Sequence, residues 1–372
     1  MNLLMLSGDS SVARGQGGAF DQLLRRFSHY WTRIDILCPP APDAHPRCIY
    51  GNVYIHPSPY RYASWQPYFI ARYGRKLMRE RDYALVVSHD YGVFLNGIGA
   101  WLLRKPYVSE IHHVEGYPHA VTFREKIYTF LAKRYIRWVS RRAAAIRVVN
   151  ETEMPTLLRN LGVAPQKILV LPSQYLDLSV LRPIPEEPKP YDVLFVGRLV
   201  SNKGIFTILE ALDLVKDSHR HVQLGIRGDG PLFEAVKEKI IELKLQLNVT
   251  FIPRADTPEA LTRLYNQTFM LVCASTSEGG PRVTVEAMAC GVPVISTPVG
   301  IMPDIIVTGQ NGYLFSGDVY GLAARILILL EDESLRRDIG EAGRQSVQKF
   351  EASAMIEQYA RGYHNLINTL KS

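Results

Sequence analysis

The sequence has few of the features that mark disulfide-bonded, secreted or membrane-spanning chains. Its four cysteines (Cys38, Cys48, Cys273 and Cys290) show no C-x-x-C spacing, and two of them fall inside predicted strands or helices, where a reduced cysteine packs as a small apolar side chain. No uninterrupted apolar run approaches the roughly 18 to 20 residues that span a bilayer, and residues 1–6 favour a first strand over a signal peptide. We therefore expect a cytoplasmic protein, at most peripheral on the inner face of the membrane.

Patterns of metal ligands and of internal repetition are also missing. No Asp-x-Asp pair stands at the end of a predicted strand. The acidic run Glu331-Asp332-Glu333 falls at the end of a surface helix, where solvation explains it better than a bound ion does. The sequence contains no short-period repeat. We expect no metal site and no resident cofactor.

The chain does have the length and apolar content for two domains. It has 372 residues, of which 47% are hydrophobic and 21% charged, so each of two domains can bury its own core. The net charge of +7 is uneven, because residues 1–185 carry 24 Lys/Arg against 13 Asp/Glu and the remainder carries 19 against 23. A basic half is typical of a protein with an anionic partner such as a membrane surface or nucleic acid, and it also fits one solvated basic face.

Short apolar runs rich in β-branched residues alternate with longer helical patterns, which predicts parallel sheets with crossover helices. In the first half the predicted strands are residues 3–6, 34–38, 53–56, 85–88, 107–111, 145–149 and 168–171. In the second half they are residues 193–196, 222–226, 249–252, 270–274 and 292–296, followed by helices over 321–330, 334–349 and 352–370. The proline-rich residues 182–190 separate the two series as an extended linker.

This pattern predicts an α/β fold of two doubly wound, Rossmann-like domains that face a central cleft. The predicted N-terminal domain covers residues 1–185, the C-terminal domain covers 186–355, and a final helix covers 356–372. Ligands of such sheets bind beyond the carboxyl ends of the strands. The cleft between the two domains is therefore the expected site.

The most informative segment is Ser277-Glu-Gly-Gly-Pro-Arg-Val-Thr-Val-Glu286-Ala-Met-Ala-Cys-Gly291. Its proline suits the first turn of a helix and Gly291 suits the end, so Glu278 lies in the loop before the helix and Glu286 lies inside it. The amino end of a helix favours a bound phosphate, and carboxylates beside it would accept hydrogen bonds from hydroxyls. The segment therefore favours a ligand with both phosphate and sugar.

The segment resembles the E-x7-E signature of the retaining glycosyltransferases of family 4, which have the two-domain GT-B fold. Other motifs extend the resemblance along most of the chain. They are Gly17-Gly18 in the first glycine-rich turn, His112 after a predicted strand, Arg198-x4-Lys203-Gly204 after another strand, and Gly228 at the end of the next strand.

The resemblance implies a role for each matching residue. Arg198 and Lys203 would bind the diphosphate of the donor and stabilise it as the leaving group, without a metal ion. Glu286 would bind the ribose hydroxyls, and its apolar neighbours predict a buried carboxylate that needs a partner. The sugar would be contacted by Glu278 and by His112, while the backbone would approach the donor at Gly17, Gly18, Gly228, Gly279 and Gly280.

Less specific interpretations of these residues remain open. Arg198 and Lys203 also fit a solvated loop, Glu286 an exposed helix position, and His112 a histidine that only caps a strand. His113 departs from the family, which often has Asp or Gly there, and Arg227 stands where an aliphatic residue is usual. Residues 171–177 read Leu-Pro-Ser-Gln-Tyr-Leu-Asp where the family commonly has Pro-Asn-Gly-Val-Asp, so we expect a differently shaped loop.

Two basic stretches carry apolar side chains at helical spacing, over residues 65–81 and 123–142. Amphipathic basic helices of this kind can lie on anionic lipid, and an ordinary helix packed on a sheet needs an apolar stripe too. The candidates for contact with a membrane or acceptor are Arg124, Lys133, Arg134, Arg137 and Trp138.

The resemblance implies a retaining glycosyltransferase that moves a sugar from a nucleotide-diphosphate sugar to a glycan or lipid-linked acceptor. An anionic membrane surface is a candidate partner, whereas nucleic acid is not expected because the aromatic residues fall within helices. Two alternatives stay open: a non-catalytic sugar-nucleotide-binding scaffold subunit of a glycan assembly complex, and a GT-B phosphorylase or epimerase.

Overall fold

The computed structural model describes residues 1–41, 44–90, 94–254 and 257–371. The first sheet consists of β1 (Asn2–Leu6), β2 (Arg33–Cys38), β3 (Arg47–Ile49), β4 (Val53–Pro57), β5 (Leu85–His89), β6 (Tyr107–Glu110), β7 (Ala145–Val148) and β8 (Ile168–Val170). Its strand order is β3-β4-β2-β1-β5-β6-β7-β8. All neighbours are parallel except β3, which is antiparallel to β4.

The second sheet is smaller and parallel throughout. Its strands are β9 (Tyr191–Val196), β10 (Leu224–Arg227), β11 (Val249–Phe251), β12 (Thr268–Cys273), β13 (Val294–Ser296) and β14 (Tyr313–Leu314). They lie in the order β11-β10-β9-β12-β13-β14. The order changes direction between β9 and β12, which makes the carboxyl ends of these two strands the place where a ligand is expected.

Helices cover both sheets. In the first half they are α1 (Ala19–Phe27), α2 (Gln66–Phe69), α3 (Arg75–Glu80), α4 (Leu95–Leu102), α5 (Phe123–Ser140) and α6 (Glu153–Asn160). In the second half they are α7 (Ile205–Lys216), α8 (Phe233–Glu242), α9 (Pro258–Asn266), α10 (Arg282–Ala289), α11 (Met302–Ile305), α12 (Val319–Glu331), α13 (Glu333–Ser346) and α14 (Ala352–Lys371). A search of the described residues finds no helix long and apolar enough to cross a bilayer.

The central strand β1 shows why the sheets are buried on both faces. Its side chains alternate between two cores: Leu4 and Leu6 pack with α2, α4 and α5, whereas Leu3 and Met5 pack with α1 and α14. A parallel strand covered by helices on both sides needs apolar residues at every position. The continuous run Leu-Leu-Met-Leu at residues 3–6 meets that need.

The structure confirms the predicted fold class and all twelve predicted strands, whose ends differ from the observed ones by no more than about two residues. Strands β3 and β14 were not predicted, because their sequences, Arg-Cys-Ile and Tyr-Leu, lack the run of apolar β-branched residues on which the other strands were predicted. Residues 65–81 form α2 and α3 with a π-helical turn, Ile70–Gly74, between them. The boundaries at residues 185 and 355 stay predictions.

The last helix packs on the first sheet after its first turn, in which Met355 joins the core of the second domain. Ile356, Tyr359, Tyr363 and Ile367 of α14 are buried in the same core as β1 and α1, and Tyr359 stacks on Phe27 of α1 with ring centroids 4.7 Å apart. The chain therefore ends on the first sheet after completing the second.

Candidate functional site

Two motifs of the second half meet at the carboxyl edge of its sheet. Lys203 follows β9 and Glu278 follows β12, and these strands are neighbours. The Lys203 ammonium contacts the Glu278 carboxylate in an ion pair, and the Ser275 hydroxyl donates to the same Glu278 oxygen at 3.2 Å. Both charged side chains stay partly accessible, with 23% and 18% of their surface exposed. The topology thus joins the predicted phosphate-binding cation to the predicted sugar-binding carboxylate.

The loop that carries Lys203 is held by a glycine with a special conformation. Gly204 has φ of +66° and stands directly before α7. A Cβ atom there would lie 2.1 Å from the carbonyl oxygen of Ala274, at the end of β12. The close approach of the two backbones requires glycine, and it places Lys203 against the Glu278 loop.

Arg198 lies on the same loop as Lys203, and its side chain is exposed. In the described part of the chain its guanidinium forms no ion pair. Gly228, after β10, packs so closely on the loop that an added Cβ would lie 1.9 Å from the carbonyl oxygen of Gly197. Arg198 is therefore a cation presented to solvent at the mouth of the cleft.

Glu286 is buried inside α10, as the sequence predicted, and 6% of its surface is exposed. Its partners come from the protein itself: the Tyr265 hydroxyl donates to Oε2 and the Arg282 Nε donates to Oε1, both at 2.7 Å. The prediction that this carboxylate needs a partner was right, but it does not depend on a ligand for one. Each oxygen keeps a further lone pair that can accept a hydroxyl.

The first domain supplies the opposite wall of the cleft. The carbonyl oxygen of His112 lies 3.1 Å from the position of a Cβ on Gly279, and the His113 ring nitrogen Nδ1 lies 3.5 Å from it. Burial lowers the pKa of His113, although the nearby Glu278 carboxylate opposes that shift. The sequence selected His112 over His113, whereas in the structure both histidines reach this wall and His113 is the one nearer Glu278.

Other contacts close the cleft at its sides. The Ser277 hydroxyl donates to the carbonyl of Val114 at 3.3 Å, and the Gln174 side-chain amide donates to the carbonyl of Gly280 at 3.2 Å. Gln174 is one of the residues that depart from the family pattern, and it is buried. The unusual loop therefore attaches the first domain to the glycine turn of the second.

Gly17 and Gly18 lie at the amino end of α1, and among the described residues no group other than their chain neighbours comes within 4 Å of an added Cβ. Phe20, in the first turn of α1, packs edge-on against the His89 ring at 5.6 Å. Among the described residues, no hydrogen bond or ion pair links this glycine turn to Lys203 or Glu278.

A buried carboxylate that the sequence did not select lies behind His112. Glu110, the last residue of β6, forms an ion pair with Arg147 at 2.7 Å and accepts hydrogen bonds from the Tyr359 and Tyr363 hydroxyls. The side chain of Glu110 is 1% exposed. One signal was present: Arg147 is a lone cation in the apolar run of β7, and a buried cation needs an anion.

The basic helix α5 is divided along its length. Tyr135, Ile136 and Val139 are buried on the sheet, as an ordinary amphipathic helix requires. Trp138 is half-buried, with its ring edge-on to Trp101 at 5.6 Å, and its role as a membrane or acceptor contact stays a prediction. The apolar side chains that do protrude lie in and beside the first half of the helix: Val121, Phe123, Ile127, Phe130 and Leu131.

Near the cleft, acidic side chains of both domains meet. Asp304 accepts hydrogen bonds from the Glu151 N–H at 2.7 Å and from the Thr152 hydroxyl, while Glu153 accepts one from the Gly300 N–H at 3.1 Å. Burial raises the pKa of Glu153 to about 7, and the Asp304 charge adds to the rise while the Gly300 N–H opposes it. This contact between the domains is therefore sensitive to pH.

Stability should fall as pH rises from about 5 to 8, and Glu153→Gln should reduce that fall. The folded protein holds the Glu153 proton up to about pH 7, whereas the unfolded chain loses it near pH 4.5, so the folded state is penalised as pH rises through this window. At about 1.4 kcal/mol per pKa unit the difference in unfolding free energy is at most about 3.5 kcal/mol. Urea unfolding at several pH values measures it, with Glu151→Gln as an exposed control. Equal pH dependence in wild type and Glu153→Gln would contradict the assignment.

Two different family models match the two halves of the chain. The family model described as Glycosyltransferase Family 4 matches residues 15–173, and the model described as Glycosyl transferases group 1 matches residues 180–346. The N-acetyl-alpha-D-glucosaminyl L-malate synthase of Bacillus anthracis is 35% identical over 152 residues, which are 40% of this chain and 39% of that protein. The D-inositol 3-phosphate glycosyltransferase of Corynebacterium efficiens is 26% identical over 309 residues, which are 76% of this chain and 71% of that protein.

For the first relatives the match spans less than half of their own length. The solved structures match over the whole chain. Sucrose-phosphate synthase from Thermosynechococcus elongatus has a TM-score of 0.82 at 22% identity and covers 99% of both chains. Anabaena HepE in complex with UDP-glucose has a TM-score of 0.73 at 20% identity, over 98% of this chain and 100% of that one. At such identities these structures show the fold, and the two family models span most of the sequence. The chain belongs to glycosyltransferase family 4 and has the GT-B fold.

Proposed function

We propose that this protein transfers a sugar from a nucleotide-diphosphate sugar to a glycan or lipid-linked acceptor, with retention of anomeric configuration and without a divalent metal ion. One observation carries the proposal: Lys203 and Glu278 meet at the carboxyl edge of the second sheet, and the adjacent Gly279 lies against His112 of the first domain. The residues expected to hold the phosphate and the sugar therefore line one cleft.

The charges of this cleft suit a diphosphate. Arg198 is exposed, and the charge of Lys203 is neutralised by the carboxylate of Glu278. The oxygens of a diphosphate would bind both cations, and the Glu278 carboxylate would then accept a hydrogen bond from a sugar hydroxyl. Two cations and the amino end of α10 would supply the positive charge that a metal ion supplies elsewhere. HepE, which shares the fold, was solved with UDP-glucose, and this supports a nucleotide sugar as donor.

The proposed reaction breaks the bond between the anomeric carbon of the sugar and the diphosphate oxygen, and forms a bond from that carbon to the acceptor oxygen. Arg198 and Lys203 would stabilise the charge that develops on the departing diphosphate. A phosphate oxygen would take the proton of the acceptor hydroxyl on the same face of the sugar, which retains the configuration. His112 and Glu278 would hold the sugar hydroxyls.

The exposed half of α5 supports a membrane surface as the place where the acceptor is met. Phe123 is 78% exposed and Phe130 57% exposed, and the exposed cations Arg124, Arg134 and Arg137 lie on the same helix. Residues 61–142, which include α2 to α5, carry fifteen Lys/Arg against six Asp/Glu. Of those six acids, Asp90, Glu110 and Glu125 are buried. A basic surface with protruding aromatic side chains suits anionic lipid at the cytoplasmic face.

Glu286→Ala and Arg198→Ala should each abolish turnover while leaving the fold intact. Purified protein is incubated with nucleotide sugars of different base, and the released nucleoside diphosphate and the product anomer are measured. Arg220→Ala serves as the matched control, because Arg220 is an exposed cation of the same domain before β10, at the opposite edge of the sheet. Wild-type rates in either site variant, or an inverted product, would contradict the proposal.

Changing Lys133, Arg134 and Arg137 together to Gln should weaken binding to vesicles that contain anionic lipid. Each cation near such a surface contributes about 1 kcal/mol, so the loss of three predicts about a hundredfold lower partitioning. The control changes three exposed cations of the second domain, Arg220, Lys244 and Arg337, to Gln. An equal effect of the two triple variants would remove the α5 surface from the proposal.

A further inference from the structure

The carboxylate of Glu110 is held by groups from three separate parts of the chain. Its Oε1 accepts hydrogen bonds from the Tyr359 hydroxyl at 2.6 Å, from the Tyr363 hydroxyl, and from Arg147 Nη1 at 2.7 Å. The two tyrosines stand one turn apart on α14, so both hydroxyls reach the same oxygen. Three donors on one oxygen fix the rotation of the carboxylate and decide where its other oxygen points.

The other oxygen, Oε2, faces the candidate site. It lies 2.9 Å from His89 Nε2 and 3.6 Å from His112 Nε2. His112 is 44% exposed and reaches the cleft, whereas His89 and Glu110 lie beneath it, with 18% and 1% of their side chains exposed. Glu110 thus stands between the last helix and the exposed imidazole of His112.

Glu110 is ionised where it lies. Burial alone would raise the pKa of its carboxyl, but Arg147 and the neighbouring histidines hold that pKa well below its usual range. Arg147 is satisfied in turn, because its Nε and Nη2 donate to the carbonyls of Leu171 and Pro172 at 3.1 and 3.2 Å. The guanidinium also lies 4.0 Å from the centre of the Tyr359 ring. The carboxylate of Glu110 therefore carries a negative charge at neutral pH.

We propose that Glu110 is a positioning residue for His112 and that α14, through Tyr359 and Tyr363, is part of the site because it holds Glu110 in place. The inference rests on the proposed function, in which His112 contacts the donor sugar. Residues near the end of the chain would thereby control a residue that lies about 250 positions earlier and faces the cleft of the first domain.

The physical role is to select one tautomer of the imidazole. A carboxylate oxygen facing Nε2 favours the proton on Nε2 and leaves Nδ1 as an acceptor for a sugar hydroxyl. Desolvation in the cleft lowers the pKa of His112, with Arg147 and His89 acting in the same direction and Glu110 opposing them. Across the cleft the charges of the Lys203–Glu278 ion pair act on the neighbouring His113, with Glu278 raising the pKa of His113 and Lys203 lowering it.

Two variants test the inference, one acting on the carboxylate and one acting on what holds it. Glu110→Gln keeps the shape and removes the charge, and the double variant Tyr359→Phe, Tyr363→Phe removes only the two hydroxyls. Tyr135→Phe is the matched control. The Tyr135 hydroxyl donates at 2.6 Å to a different buried carboxylate, that of Asp90, which directly follows the neighbouring strand β5. The Tyr135→Phe substitution removes a similar hydrogen bond but no partner of Glu110.

The first readout needs no activity. Nitrogen chemical shifts of the His112 ring, assigned with His112→Ala, report its tautomer and pKa in each variant. We expect the Nε2–H form in the wild type, a mixture of tautomers in both test variants, a lower His112 pKa in Glu110→Gln, and no change in Tyr135→Phe. A His112 tautomer and pKa that match the wild type in both test variants would overturn the inference.

The second readout is transfer kinetics. We expect kcat to fall about tenfold in both test variants, as for partners that orient a histidine, with the KM for the donor little changed. The acidic limb of the pH profile should move to lower pH in Glu110→Gln, because loss of the negative charge makes His112 harder to protonate. If Glu110→Gln does not fold, the tyrosine pair carries the test, and an effect no larger than that of Tyr135→Phe would overturn the inference. A wild type that transfers no sugar would contradict the proposed function alone, since the ring measurement stands apart from it.

Discussion

Parallel strands end at the same edge of their sheet, and this constraint builds the site. In the second domain Lys203, Gly228 and Glu278 follow β9, β10 and β12, and in the first domain His112 follows β6. These residues lie far apart in the sequence, yet the carboxyl edges of the two sheets bring them to one cleft. Loops at such edges can change while the sheets stay the same, as the loop with Gln174 illustrates.

A second constraint is the buried charge of Glu110. Burying a carboxylate costs several kcal/mol unless it is paired and hydrogen-bonded, and here the partners come from β7 and from α14. The same region joins the two halves of the chain, because the Leu176 N–H donates to the Phe350 carbonyl and the Ala352 N–H donates to the Leu176 carbonyl, each at 2.9 Å. The return of the last helix to the first sheet therefore brings both domains and the site wall together in one packed unit.

Much of this could be predicted from the sequence because it depends on local pattern. Continuous apolar runs such as residues 3–6 indicate buried parallel strands, and the glycines and proline around Glu278 indicate a loop that opens a helix. The short edge strands lacked such a pattern: β14 has two residues. The burial of Glu286 was predictable from its apolar neighbours.

The partners of the charged residues could not be predicted, since they depend on which elements become neighbours in space. Tyr265 is 21 positions from Glu286, Lys203 is 75 from Glu278, and Tyr363 is 253 from Glu110. Spacing alone presented Arg198 and Lys203 as two equal cations, whereas the structure pairs Lys203 and leaves Arg198 exposed. The stripe of α5 likewise gave no sign that its apolar side chains are buried mainly in its second half.

The central claim is that the cleft between the two sheets binds a nucleoside diphosphate through Arg198 and Lys203. A thermal-shift panel with UDP, GDP, ADP and CMP, run on the wild type and on Arg198→Ala, tests it most directly, because a ligand that binds the folded state raises the melting temperature by mass action. We predict a rise with one nucleoside diphosphate in the wild type and its loss in Arg198→Ala. No rise with any of the four nucleotides, or an equal rise in both proteins, would contradict the account.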